Sequence, residues 1–201
     1  MVLKPLLQKH AFRPQLADIK DFIENDPSPK AIFLNSPHNP TGGVTTESDL
    51  RQIADLIRGR NIAVLSDEPY CHMVWNGQHH SLAAQPDMLQ QCVAAYTFSK
   101  SYSMSGWRLG FCVSSPEIVE SISLMLNTSV SCTPPLVQMA GIAALERDGE
   151  ERDGSRHLVH RTGSRGTDPA RRIHWDQNDL SWAGDFQTAT WRQARETVYD
   201  V

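Results

Sequence analysis

The sequence has no long hydrophobic run: no apolar stretch approaches the ~20 residues that a membrane-spanning helix needs. It also lacks a large excess of charge, because 19 Lys and Arg against 23 Asp and Glu leave a formal net charge of −4. Proteins that bind nucleic acid or an anionic membrane surface usually carry a basic excess or a basic patch. We therefore expect neither a nucleic acid nor a membrane among the partners of this protein.

Cysteine is scarce, and none of the four cysteines has a CxxC spacing or another spacing typical of a metal site. The N-terminal residues place Pro5 inside a short apolar run and offer no small-residue cleavage site, so a secretory signal peptide is not predicted. Thiols of a protein that is not exported are expected to stay reduced. These features predict a cytoplasmic location and no bound metal.

Short apolar, β-prone segments alternate with segments of helical periodicity along the first three quarters of the chain. The strands predicted from this pattern are 31–34, 62–65, 93–98 and 109–113, and the helices are 16–23, 46–58, 116–125 and 134–146. The run at 62–65 is wholly apolar, which is typical of a strand buried on both faces. The alternation predicts an α/β fold, a partial three-layer sandwich in which helices cover both faces of a mostly parallel sheet.

Two polar segments directly follow predicted strands. NSPHNPTGG occupies residues 35–43, where its prolines and glycines exclude regular structure. SDEPY occupies residues 66–70. Because open α/β sheets bind ligands at the carboxyl ends of their strands, both segments are expected to lie at a binding site. Glu68 is not expected to share an acid–base role with Asp67, since adjacent residues of a strand point to opposite faces.

A third segment, TFSKSYSMSGWRLG, runs from Thr97 to Gly110 and begins where the strand at 93–98 ends. Lys100 is expected to be poorly solvated there, which favours its neutral and nucleophilic amine. Arg108 lies eight residues later in a turn flanked by Gly106 and Gly110, and its fork of donors suits a phosphate group. A nucleophilic amine beside a phosphate site indicates pyridoxal phosphate as a cofactor.

In their order and spacing these three segments resemble the signatures of the class I/II aminotransferases, which are fold-type I pyridoxal-phosphate enzymes. The resemblance is to the aspartate and aromatic type and extends from about Ala11 to about Glu150. One departure is Thr97, where the family more often has serine or glycine, although the hydroxyl group is kept.

The resemblance implies the roles of four residues in catalysis. Lys100 would form a Schiff base with the coenzyme aldehyde and then move the proton between the substrate Cα and the coenzyme. Asp67 would keep the pyridine nitrogen protonated. Tyr70 and Asn39 would donate hydrogen bonds to the 3-oxygen of the ring.

The resemblance also implies a phosphate-binding group, in which Arg108 acts together with the hydroxyl groups of Ser99 and Thr97. Full-length members of the family are homodimers. The predicted activity is the transfer of an amino group from an amino acid to a 2-oxo acid. Alternatives on the same scaffold are a pyridoxal-phosphate-dependent C–S lyase or related enzyme, and a remnant that binds the coenzyme without turnover.

The end of the chain differs in composition from the rest. Between residues 152 and 201 there are eight arginines and no lysine, and large apolar residues are sparse. We expect residues 1–148 to be part of a pyridoxal-phosphate-binding large domain and residues 149–201 to be an unrelated, unstructured tail. Since family members are about twice as long, the chain is expected to be a fragment that is weakly stable alone and of doubtful activity.

Overall fold

The structure, a computed structural model, describes residues 2–147. Its strands are β1 (Ala31–Asn35), β2 (Ala63–Asp67), β3 (Cys92–Thr97) and β4 (Gly110–Val113). Its α-helices are α1 (Leu16–Asn25), α2 (Glu47–Ile57), α3 (Phe98–Ser101), α4 (Pro116–Ser129) and α5 (Pro135–Glu146). The prediction of an unstructured tail over residues 149–201 lies outside the described residues.

The four strands form one sheet in the order β1-β2-β3-β4. β1, β2 and β3 are parallel, whereas β4 runs antiparallel to β3. Asn35 pairs in register with Asp67, and Asp67 pairs with Ala95. The prediction of an α/β fold with a mostly parallel sheet is confirmed. This register brings the carboxyl ends of β1, β2 and β3 to the same edge of the sheet.

One face of the sheet carries the hydrophobic core. Leu34, Val64 and Ala94 lie on this face and belong to one buried cluster with residues of α1 and α2, among them Ile19 and Ile53. α2 begins at a capping box, in which the Thr46 side chain accepts from the Asp49 backbone N–H and the Asp49 carboxylate accepts from the Thr46 N–H. Such reciprocal bonds satisfy two backbone donors that the first helical turn would otherwise leave free.

The opposite face of the sheet is only partly covered, so the expectation that β2 is buried on both faces is wrong. Its side chains alternate between the exposed Ala63 and Leu65 and the buried Val64 and Ser66. Leu65 is 42% exposed, and the neighbouring Phe33 of β1 is 63% exposed. The apolar run therefore marks a strand whose second face lacks a full covering layer within residues 2–147.

No helix in the described part of the chain is both long and apolar enough to cross a membrane. Cys71, Cys92, Cys112 and Cys132 form no disulfide with one another, and their exposure runs from fully buried for Cys92 to exposed for Cys132. The prediction of a cytoplasmic location remains an expectation.

Candidate active site

Side chains from the ends of β1 and β2 are joined by a chain of hydrogen bonds. The Asn35 amide nitrogen donates to the Asp67 backbone oxygen at 3.0 Å and to its carboxylate oxygen Oδ2 at 3.1 Å. The Asn35 amide oxygen accepts from the Asn39 backbone N–H at 2.9 Å. The Asn39 side chain in turn donates to the Tyr70 hydroxyl at 3.2 Å. Three of the predicted site residues, Asn39, Asp67 and Tyr70, therefore lie together.

Asp67 is a half-buried carboxylate at the end of β2. Burial raises its pKa above the ordinary value of 3.8, and the negative charge of the adjacent Glu68 raises it further. Both effects act by disfavouring the charged carboxylate. A cationic group placed against Asp67 would lower its pKa again, because it stabilises the charged carboxylate. This position therefore favours a positively charged ligand atom.

Glu68 lies on the other side of the sheet from Asp67, as the alternation of strand side chains predicts. It is 1% exposed and accepts hydrogen bonds from Ser66 and Ser81, each at 2.7 Å, and from the Tyr96 hydroxyl at 2.8 Å. His79 Nε2 lies 2.7 Å from its second oxygen. Because an ionised carboxylate can only accept, Nε2 is the protonated ring nitrogen in this contact.

The pKa of Glu68 reflects a competition between burial and these donors. Burial raises it, but the hydrogen bonds from His79, Ser66 and Ser81 lower it, and the result lies below the ordinary value of 4.5. The carboxylate is therefore held in its charged form inside the protein. The hydrogen bonds of Glu68 hold the SDEPY segment in place on the face of the sheet opposite to Asp67.

Sequence reasoning did not identify Asn35 or the partners of Glu68 as functional residues. In the sequence, Asn35 is marked only as the first residue of the NSPHNPTGG segment. The signal that could have singled it out is its position at a strand end, where the parallel register places it beside Asp67. The partners His79 and Ser81 follow Glu68 by 11 and 13 residues in a loop, and no periodic pattern links them.

The lysine turn is closed by a second set of hydrogen bonds. Thr97 caps the short helix α3 by accepting from the Ser99 backbone N–H at 3.1 Å. The Ser105 hydroxyl donates to the Ser99 carbonyl at 2.9 Å, and the Arg108 guanidinium donates to the Ser105 carbonyl at 3.0 Å. Arg108 is exposed. The three residues predicted to bind phosphate, Thr97, Ser99 and Arg108, therefore belong to one folded turn.

Lys100 connects the two groups of residues. It lies in α3 and is half-buried, and its Nζ is 5.5 Å from the centre of the Tyr70 ring, within the range of a cation–π contact. Beside it, the Ser101 hydroxyl is buried and has no hydrogen-bond partner among the described residues. An amine, a carboxylate, a phenol and an amide thus converge at the carboxyl edge of the sheet, which is the edge where the fold predicts a ligand.

Comparison with known proteins identifies relatives of this chain. The sequence pattern of the aminotransferase class I and II family matches residues 5–165, so the match begins before Ala11 and ends beyond Glu150, the bounds expected from the motifs. The chain is 32% identical over 142 residues to aromatic-amino-acid aminotransferase 2 of Thermococcus litoralis, and equally similar over the same length to an aspartate aminotransferase of Pyrococcus abyssi. Each alignment covers 70% of this chain and 36% of the relative.

Solved structures show the same relationship. The crystal structure of an aromatic aminotransferase from Pyrococcus horikoshii OT3 superposes with a TM-score of 0.71 at 30% identity, over 80% of this chain and 42% of that protein. The chain thus spans about a third of the length of the curated relatives it matches. The family pattern covers most of the 201 residues, and this chain belongs to the class I and II aminotransferases.

Proposed function

We propose that this chain is part of a pyridoxal-phosphate-dependent aminotransferase that moves an amino group from an amino acid to a 2-oxo acid. The observation that carries the proposal is the position of the Lys100 amine above the Tyr70 ring, at the end of the chain of hydrogen bonds that leads through Asn39 and Asn35 to Asp67. Membership of the aminotransferase family supports it.

The donor and acceptor groups of the site fit the parts of pyridoxal phosphate. Asp67 is an acceptor suited to a protonated ring nitrogen, and Asn39 and Tyr70 can donate to the 3-oxygen of the ring. Arg108 has guanidinium N–H groups beyond the one that Ser105 uses, and it lies in the same turn as the hydroxyl groups of Thr97 and Ser99. Together they suit a phosphate.

When bound, pyridoxal phosphate supplies an aldehyde that captures amines and a ring that accepts electrons. Lys100 would provide the amine that holds this aldehyde before substrate binds. With substrate present, the Lys100 Nζ would take the proton from the substrate Cα and deliver it to the coenzyme carbon. Asp67 would keep the ring nitrogen protonated, and the positive charge there would favour the charged Asp67 carboxylate.

The substrate class follows from the relatives, whose names include aromatic-amino-acid and aspartate aminotransferases. We propose an acidic or aromatic amino acid as the donor and a 2-oxo acid as the acceptor. Residues 1–148 are proposed to form part of the coenzyme-binding domain, and the full-length protein is proposed to be a cytoplasmic homodimer. These proposals rest on the motifs and on the family.

Reductive labelling tests the proposal. The purified chain is incubated with pyridoxal phosphate, reduced with borohydride and digested, and the modified peptide is identified by mass spectrometry. We expect the label on Lys100, its loss in Lys100→Ala, and its retention in a Lys30→Ala control. Absence of label from folded protein, or a label on another lysine, overturns the proposal. Pyruvate and ammonia from cysteine-type substrates would indicate a lyase instead.

A further inference from the structure

We propose that Asn35 is a positioning residue that joins the Asp67 carboxylate and the Asn39 loop into one rigid unit, so that the groups proposed to bind the coenzyme ring are held in a fixed relation to one another. This inference rests on the proposed function and adds a residue to it. Asn35 itself is not proposed to touch the reacting atoms; it acts through Asp67 and Asn39.

The geometry places Asn35 between two parts of the site that are far apart in sequence. It is the last residue of β1 and is half-buried. Its amide nitrogen makes both contacts to Asp67, which lies 32 residues later, while its amide oxygen holds the Asn39 backbone. Through Asn39 the connection reaches the Tyr70 hydroxyl. One side chain therefore sets the position of the carboxylate and of the phenol and amide together.

The orientation of the Asn35 amide follows from its partners. The Asn39 backbone N–H can only donate, so it faces the amide oxygen. The Asp67 backbone oxygen can only accept, so it faces the amide nitrogen. An aspartate at position 35 would keep the acceptor for Asn39, but it would lose both donors to Asp67 and place a second negative charge against it.

Other residues of similar size cannot replace both functions. A leucine has neither donor nor acceptor, so it would free Asp67 and the Asn39 loop at once. A serine is too short to bridge both neighbours with one hydroxyl group. Only a primary amide at this distance from the backbone offers a donor and an acceptor side by side. Asparagine is therefore needed at position 35 because it connects Asp67 with Asn39, and not because of its volume.

The test compares Asn35→Asp with a matched control, Asn25→Asp. Asn25 also donates to an aspartate carboxylate, that of Asp21 at 2.8 Å, but it lies at the end of α1 and outside the site. Both variants of the full chain are titrated with pyridoxal phosphate. The measurements are the borohydride-fixed label on Lys100 at each concentration, the pH midpoint of the coenzyme absorbance, and the urea midpoint of the protein without coenzyme.

We expect Asn35→Asp to raise the half-saturating coenzyme concentration about tenfold and to shift the pH midpoint, since it removes two hydrogen bonds to Asp67, one of them to its carboxylate, and adds a like charge. Asn25→Asp is expected to change neither quantity. Asn35→Leu is expected to weaken labelling as well, with loss of both connections.

The possible failures are separable. If wild-type protein takes no label on Lys100, the proposed function falls and this inference falls with it. If wild-type protein is labelled and Asn35→Asp matches it within twofold, with the same pH midpoint, only the role of Asn35 is overturned. The role of Asn35 is also overturned if the label on Asn35→Asp falls only in proportion to its urea midpoint while the pH midpoint stays unchanged. That pattern describes a purely structural residue.

Discussion

Glu68 organises four polar side chains although its own carboxylate is almost completely buried. A buried carboxylate costs free energy unless its oxygens are paired, and here each oxygen accepts two hydrogen bonds. Ser66 comes from β2, Tyr96 from β3, and His79 and Ser81 from the loop between them. These four hydrogen bonds therefore connect the loop to β2 and β3, on the face of the sheet opposite to Asp67.

The first prediction concerns the stability of Glu68→Gln. We expect a loss of about 1–3 kcal/mol in the free energy of unfolding at neutral pH, because the amide leaves buried donors without an acceptor. The pKa of Glu68 is lowered on folding, so its contribution is present above its ordinary value of 4.5 and is lost as the pH falls through the folded value. The acid side of the stability curve should therefore be flatter in the variant.

Urea unfolding at a series of pH values from 7 down to about 3 measures this difference. Glu24→Gln is the control, because Glu24 is exposed on α1, with a side chain 56% exposed, and forms only a loose ion pair with Lys20 at 3.8 Å. A Glu68→Gln variant as stable as wild type at neutral pH would show that the four hydrogen bonds contribute nothing net.

The second prediction concerns the reactivity of cysteines. Burial, with a smaller effect of the Glu68 charge, raises the pKa of the Cys92 thiol to about 12, so its reactive thiolate is rare at neutral pH. Cys132 is exposed. Iodoacetamide followed by peptide mapping should modify Cys132 in the native protein and Cys92 only after unfolding. Equal modification of both in the native state would contradict the buried position of Cys92.

The residues that sequence could identify are those whose type and spacing carry a chemical signature. Lys100 with Arg108, and Asp67 with Tyr70, stand in short motifs, and the roles assigned to them remain predictions. Asn35 could not be identified in this way, because its function depends on a partner 32 residues away and on the strand register. Contacts that arise only from tertiary pairing leave no local pattern.

At the scale of elements, the two glycines of the lysine turn differ in how closely the backbone around them is packed. A Cβ atom on Gly110 would lie 2.6 Å from the Tyr96 carbonyl oxygen, a backbone atom that β3 and β4 hold in place. A Cβ atom on Gly106 would meet nothing within 4 Å. In the sequence, the two glycines are alike, because each flanks Arg108 in the predicted turn. The structure gives Gly110 a role in the pairing of two strands.

The third prediction follows from this contrast. Gly110→Ala should destabilise the protein by about 1–3 kcal/mol, as overpacking against fixed atoms does. Gly106→Ala should leave the free energy of unfolding unchanged within about 0.5 kcal/mol, as is usual away from close contacts. Thermal and urea unfolding of the two variants provide the comparison. Equal effects of the two substitutions would contradict the close approach of β4 to Tyr96.

Helices and strands were predicted well where a local signal marks their ends. The Thr46–Asp49 capping box and the prolines after α1 fix boundaries that are visible in the sequence. The burial of β2 was predicted wrongly, because a wholly apolar strand shows what its faces can bury but not whether a second layer is present. That layer is a property of the assembled protein rather than of the strand.

At the scale of the whole molecule, the described residues expose a large apolar surface. Leu65 and Phe33 lie on the incompletely covered face of the sheet. The consecutive helices α4 and α5 add Leu124 at 70% and Leu136 at 75% exposure, with Met139 at 62%. Large exposed apolar patches are uncommon on monomers and mark regions that associate with other surfaces.

The fourth prediction is that this surface drives association of the isolated chain. Size-exclusion chromatography with light scattering should show a mass that rises with protein concentration. The double variant Leu124→Glu/Leu136→Glu should reduce that rise and leave the free energy of unfolding within about 0.5 kcal/mol of wild type, because both side chains are exposed. Asn127→Glu, also on α4, adds a charge without removing an apolar side chain and should not reduce association. Similar mass profiles for all three proteins would contradict the prediction.

The pairing of Asn35 with Asp67, and of Asp67 with Ala95, means that the strand ends meet only in molecules that have closed the sheet. A small molecule that is bound by residues at these strand ends therefore binds the native chain and not the unfolded one. By mass action, a ligand at a hundred times its dissociation constant would add about 2.7 kcal/mol to native stability. Supply of that ligand in the cell would then govern how much of the chain escapes proteolysis.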